Sequence, residues 1–179
     1  MGAHVGAPTN KDQIRWLVDG YNVIRRDAEL RDRETTGLEA GRHALVSLLA
    51  GVAREIADDF IVVFDGARRT GGAPSGGRVQ VIFSRPPETA DDVLRKLAAT
   101  YHEGAVVVTS DRAVRDSARR TGAVAVSAEA FLDAVRRPPA DDDLDEDDDD
   151  DHPSPRGPHR RPSREARAAE RVLRRLATR

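Results

Sequence analysis

Apolar runs of strand length alternate with stretches of helical spacing along most of this chain, and that alternation leaves few folds open. Trp16-Leu17-Val18 runs into Asp19-Gly20, and Phe60-Ile61-Val62-Val63-Phe64 into Asp65-Gly66. The second run is continuous, as in a strand covered on both faces. Ala105-Val106-Val107-Val108-Thr109 stops at Ser110-Asp111, and Ala123-Val124-Ala125-Val126 at Ser127. Between the first two runs Leu38, Leu45, Leu48, Leu49, Val52 and Ile56 repeat at helical spacing. After Thr89, Ala90, Val93, Leu94, Leu97, Ala98 and Tyr101 do the same. Such a chain predicts an α/β domain: a mostly parallel five-stranded sheet between two layers of helices.

The spacing sets finer expectations. The first strand is predicted at about 14 to 19, with Gly20 permitting a sharp turn that leaves Asp19 at the strand's carboxyl end. Asn22 either hydrogen-bonds that turn or caps a helix from Val23, and the charged stretch to Thr36 reads as a short helix and a loop. Residues 66 to 78, rich in glycine, form a loop carrying Arg68 and Arg69. Val79, Val81 and Phe83 suit a strand near an edge. A helix from Arg112 to about Arg120 follows the fourth strand. Ser127 opens a last domain helix through Phe131, Leu132 and Val135, which Arg136-Arg137-Pro138-Pro139 stops. The domain is expected to span 11 to 138, after a disordered start at 1 to 10.

Charge is strongly segregated behind a net value of only −2. Residues 141 to 151 hold ten acids and no base, whereas 153 to 179 hold nine Arg against Glu165 and Glu170. The rest is nearly neutral, so total charge cannot identify a partner. Residues 139 to 162 therefore read as an acidic and Pro/Arg-rich linker too polar to pack. From 163 to 179, Ala166, Ala169, Val172, Leu173 and Leu176 share one face of a basic amphipathic helix, marginal alone at this length. The absence of cysteine excludes disulfides and thiolate metal sites and fits a reducing cytoplasm. No signal peptide and no membrane-length apolar run is read, so a soluble, cytoplasmic protein is expected.

Chemistry concentrates in four acids. Asp19, Asp65 and Asp111 end the first, second and fourth strands, and Asp91 lies in the first turn of the helix after Thr89. Parallel strands present their carboxyl ends on one edge, so these side chains can converge. Crowded carboxylates raise one another's pKa unless a cation offsets them. Without cysteine or paired histidines, oxygen ligation of Mg²⁺ or Mn²⁺ is the natural choice. Such an ion can activate water and steady charge building on a phosphodiester. Taken singly, each residue also has a plainer reading: Asp65-Gly66 as a turn, Ser110-Asp111 and Asn22 as caps. Thr89-Ala90-Asp91-Asp92 fits a capping box in which Asp92 reaches back and Asp91 faces the cleft; Glu88 is a weaker candidate. Thr109 and Ser110 bond either a phosphate or the turn. Tyr21 either stacks on a base or packs.

Five segments in order carry a family resemblance: Val18-Asp19-Gly20-Tyr21-Asn22-Val23-Ile24, Val62-Val63-Phe64-Asp65-Gly66, Val81-Ile82-Phe83-Ser84, Glu88-Thr89-Ala90-Asp91-Asp92 and Val108-Thr109-Ser110-Asp111-Arg112. Together they resemble the YacP-like branch of the NYN domains, relatives of the PIN ribonucleases, over about 14 to 136. The resemblance implies a three-layer PIN-like, Rossmann-like fold and metal-dependent endoribonucleolytic cleavage. It implies RNA, messenger RNA in particular, as substrate, and the ribosome as a further partner, since one branch of the family acts there. Motif by motif it puts metal-binding, catalytic acids at Asp19, Asp65, Asp91 and Asp111, with Asn22 beside them or on the substrate. Arg68, Arg69, Ser110 and Arg112 join Asn22 as candidate substrate contacts, though a solvated loop explains the first two equally well. The acidic run and the basic helix have no counterpart in those motifs.

Two other classes compete. A non-catalytic RNA- or ribosome-binding module would keep the sheet without hydrolysis, and the retained acids argue against it. A metal-dependent phosphatase working through phosphoaspartate expects Asp-x-Asp after the first strand, which Asp19-Gly20-Tyr21 does not provide.

Overall fold

The computed structural model describes residues 13–66, 77–137 and 163–178. The expectations for 1–10 and 139–162, and for Arg68 and Arg69, lie outside the described residues. Strand β1 (Arg15–Asp19) leads into helices α1 (Gly20–Arg26), α2 (Ala28–Thr35) and α3 (Leu38–Glu55). Then come β2 (Asp59–Phe64), β3 (Val79–Phe83), α4 (Ala90–Tyr101), β4 (Ala105–Val108), α5 (Arg112–Arg120), β5 (Val124–Val126), α6 (Ala128–Arg136) and α7 (Arg164–Ala177). The stretch before Thr36 is thus two helices, divided at Asp27, whose carboxylate caps α2 through the Leu30 amide.

The five strands form one sheet in the order β3-β2-β1-β4-β5, every pairing parallel. β3 lies at an edge, as its imperfect alternation predicts. β1 is central, and beside it the winding reverses: β2 and β3 build outward on one side, β4 and β5 on the other. Open parallel sheets bind ligands at such a reversal, outside the carboxyl ends of the strands.

Alternation along each strand separates two cores. Trp16, Val18, Phe60, Val62, Phe64, Val106 and Val108 face one side, where residues of α1, α2, α3, α6 and α7 join them. Leu17, Ile61, Val63, Ala105, Val107 and Ala125 face the other, under Ala90, Leu94 and Ala98 of α4 and Val114 and Ala118 of α5. Each fully buried large side chain contributes about 1.5–3 kcal/mol relative to exposure.

Helix α7 departs from the expected boundary at 138. It packs against α6 and β5, and Leu176 is fully buried in the larger core with Val172 and Leu173 beside it. Arg175 pairs at 2.7 Å with Asp58, a fully buried carboxylate that also accepts bonds from the Ile14 amide and the Trp16 indole, both at 3.1 Å. A helix too short to stand alone is stabilised by docking its apolar face.

Candidate functional site

The sheet's alternation decides where the acids point. On the face beneath α4 and α5, β1 carries Leu17, β2 Ile61 and Val63, β3 Ile82, and β4 Ala105 and Val107. Two residues further on, each row ends in a polar side chain at the carboxyl edge: Asp19, Asp65, Ser84 and Thr109. Over that edge stand the first turns of α4, bearing Asp91, and α5, capped by Asp111.

Each strand-end acid is held by a local bond. Asp19 caps α1, accepting from the Asn22 amide at 3.3 Å through one oxygen and from the Thr109 hydroxyl at 3.0 Å through the other. That second bond spans the winding reversal between β1 and β4. Thr109, fully buried, accepts in turn from the Asp111 amide at 3.1 Å. Asp111 takes the Val114 amide at 3.0 Å on Oδ1. Asp65 accepts the Ser84 hydroxyl at 2.6 Å, and the same oxygen of Ser84 takes the Gly66 amide at 3.2 Å. The second oxygens of Asp65 and Asp111 accept no hydrogen bond among the described residues.

The electrostatics tie the four together. Burial pushes Asp19 above the ordinary carboxylate value; its bonds to Asn22 and Thr109 oppose the rise, and the charge of Asp91 adds to it. Asp91 is raised as well, first by desolvation, then by the charge of Asp111, with Asp65 contributing further. Arg95 is the basic group nearest Asp91, and at 3.9 Å it offsets only part of this. Asp92 behaves in the opposite way: it accepts from the amide and hydroxyl of Thr89, completing a capping box, and is lowered by those bonds. Neighbouring acids in one helix turn thus divide, Asp92 to the helix and Asp91 to the edge. Among the described residues no three acids or histidines lie close enough to grip one ion directly.

Gly20 makes the sharp turn expected of it as the first helical residue of α1, leaving Asp19 at the end of β1, and it also packs against Phe64, where a Cβ would come within 2.2 Å of the ring. Asn22 does not cap a helix from Val23, because Asp19 already caps one from Gly20. Its side-chain oxygen instead accepts from the Ser110 amide at 2.9 Å, lashing α1 to the end of β4.

The candidate contacts diverge. The Ser110 hydroxyl donates to Glu129 at 2.7 Å, and Glu129 pairs with Arg26 at 2.7 Å, so this serine turns towards α6. Arg112 is exposed and lies 3.8 Å from Asp116 on its own helix. Tyr21 packs edge-on against Phe64 at 5.1 Å and accepts bonds from Arg42, whose guanidinium also lies over Phe64 and Phe83. Glu129 and Arg42 went unmarked in the sequence because nothing local points to partners 19 and 21 residues away. Ser84 had a usable signal: it continues the row of Ile82 as Asp65 continues that of Val63. A cavity of about 660 Å³ lies away from the four acids, between α2, α3 and Phe83.

Comparison with known proteins follows the same architecture. Residues 16–176 match the YacP-like NYN domain, a span that takes in α7 although the five motifs end before it. Among curated relatives, the uncharacterized protein YacP of Bacillus subtilis is 34% identical over 124 residues, covering 66% of this chain and 73% of that one. The crystal structure of Rae1 (YacP) from Bacillus subtilis superposes with a TM-score of 0.59 at 33% identity, covering 67% of this chain and 72% of that one. A mutant of the same protein gives 0.58 at 32%, covering 68% and 73%.

Proposed function

This chain belongs to the family of YacP-like NYN domains, and from that premise we propose that it is a metal-dependent endoribonuclease cutting phosphodiester bonds in single-stranded RNA. Membership carries a PIN-like nuclease fold and a nuclease-type function on RNA. The observation that supports the finer reading is the arrangement at the winding reversal: Asp19, Asp65 and Asp111 end strands at the carboxyl edge, Asp91 stands in the first turn of α4, and Asp19 and Asp91 are both raised, Asp91 in part by the charges of Asp111 and Asp65. Acids kept in that condition gain from a cation.

The donor set suits Mg²⁺ or Mn²⁺. All four side chains offer hard oxygen, and Mg²⁺ binds through one or two carboxylates while keeping several waters. The ion, when bound, supplies charge stabilisation and an activated water at a phosphodiester. The chain's own residues supply placement. Thr109 and the Asn22 amide fix both oxygens of Asp19, Ser84 fixes Asp65, and the Asn22–Ser110 bond keeps the ends of β1 and β4 in register. An open sheet edge admits a splayed strand more readily than a rigid duplex. Messenger RNA, ribosome-associated, and a cytoplasmic setting complete the proposal.

A second reading, the non-catalytic RNA-binding module, draws support from the capping roles of Asp19 and Asp111, which a purely structural acid would also fill. Incubation of the purified chain with RNA and Mn²⁺ separates the two. Asp19→Asn and Asp111→Asn keep a good capping residue and are expected to lower cleavage by about 10²–10³-fold, a range comparable to removing one group that stabilises transition-state charge. The same variants should lose the Mn²⁺-dependent rise in melting temperature that ligand linkage gives the unaltered chain. Cleavage undiminished in both variants overturns the mechanism, and binding without cleavage selects the module.

A further inference from the structure

We propose that the outer face of α7 is a second RNA-binding surface, on which Arg164, Arg167, Arg171 and Arg174 hold the phosphate backbone of a strand whose cut site lies at the opposite edge of the sheet. The inference rests on the reading that this chain acts on RNA. The four arginines are spaced by three, four and three residues, so at about 100° per residue they fall within roughly a quarter of the helix circumference. All four are exposed. Ala169, Val172, Leu173 and Leu176 occupy the other side, against the core.

The stripe is held in place at both ends of the helix. Near its end Arg175 is bound to buried Asp58 and Leu176 is plugged into the core; near its start Glu165 lies 3.3 Å from Arg119 at the end of α5. These anchors sit at the amino ends of the strands, away from the acids. Of the four arginines only Arg174 has an ion pair among the described residues, with Glu170 at 3.1 Å. Like charges at this spacing repel one another, so the ladder does not serve helix stability, and a polyanion offsets the repulsion. A membrane is disfavoured, because a helix that lies on lipid inserts its apolar face, and here the domain covers that face. A rigid row of guanidinium groups loses little freedom on binding phosphates and carries no sequence preference.

The two surfaces flank strands that run roughly 15–20 Å, so a long RNA engages both and a very short one cannot. The test uses the full chain, with binding measured in EDTA on unstructured RNAs of about 30 and about 3 nucleotides across a salt series; the longer carries more phosphates than the footprint needs. The quadruple variant R164Q/R167Q/R171Q/R174Q is expected to bind the long RNA at least about tenfold more weakly. Its salt slope should fall by about 0.7 for each phosphate no longer neutralised, roughly 2–3 in all. Cleavage of the short RNA and the thermal melt should not change. Should the quadruple variant fail to fold, R167Q/R171Q is expected to show about half the decrease in slope. An unaltered chain that does not bind the long RNA overturns the proposal, as do variants with unchanged affinity and slope or an equal weakening on both RNAs. A chain that binds through α7 and never cuts refutes the nuclease reading alone.

Discussion

The two edges of the sheet treat their carboxylates in opposite ways. At the amino edge Asp58 is completely buried, yet it is surrounded by donors: the Ile14 amide, the Trp16 indole and the Arg175 guanidinium. At the carboxyl edge Asp19 and Asp91 are only partly buried, yet both are raised, because burial and neighbouring acids outweigh the donors they have. A carboxylate whose charge the chain itself offsets holds structure together. One whose charge the chain leaves unoffset is a candidate for holding a cation. Burial alone does not separate the two edges; the balance of donors does.

That contrast can be broken by substitution. Asp58→Ala is expected to cost about 3–4 kcal/mol, since it strands two neutral donors and a cation around a buried gap. At about 2–4 °C per kcal/mol for a domain of this size, the melting midpoint should fall by roughly 10 °C, while cleavage per folded molecule is retained. A melt unchanged by this substitution would remove the structural role of the amino-edge acid.

Gly20→Ala probes the join between core and site. Its added methyl would meet Phe64, which is wholly buried between Tyr21 and Phe83 and cannot swing aside. A loss of about 2 kcal/mol in urea unfolding is expected, of the size seen for overpacked cores, together with reduced cleavage as Asp19 is displaced. Full activity with normal stability would show that α1 can shift without moving Asp19.

Asp91→Asn sharpens the contrast with the smallest effect. Because the folded-state pKa of Asp91 lies above its ordinary 3.8, ionising it costs stability as pH rises through the window between those two values. Without metal the variant should therefore be more stable at about pH 7 by a few tenths of a kcal/mol, a screened, partly exposed repulsion. The gain should vanish at about pH 3, where the carboxyl is protonated in both states. A variant less stable than the unaltered chain at neutral pH would mean that Asp91 is structural, like Asp58.

Much of this was legible in the residues. Periods of two and of 3.6 located the strands and the main helices, and the polar residue closing each strand row named the carboxyl edge. What escaped was long-range. Asp58 looks like an ordinary loop acid beside Asp59; only its partners, 42 and 117 residues away, give it meaning. For the same reason α7 reads as an appendage, since Leu176 and Arg175 find their places through contacts that no local pattern announces. Gly20 makes the turn its residue type suggests, but its close packing on Phe64, like the bond from the Ser110 amide to Asn22 in place of a cap, depends on distant parts of the chain.

The hydroxyl of Thr109 reaches Asp19 across 90 residues of chain. During synthesis the first strand emerges early, but its aspartate lacks that partner, and the neighbouring strand β4 on one side, until translation has passed residue 109. The larger core stays unsealed until Leu176 has been added. A half-made copy therefore carries Asp19 and Asp65 but neither Asp111 nor the Thr109 hydroxyl that holds Asp19 in place.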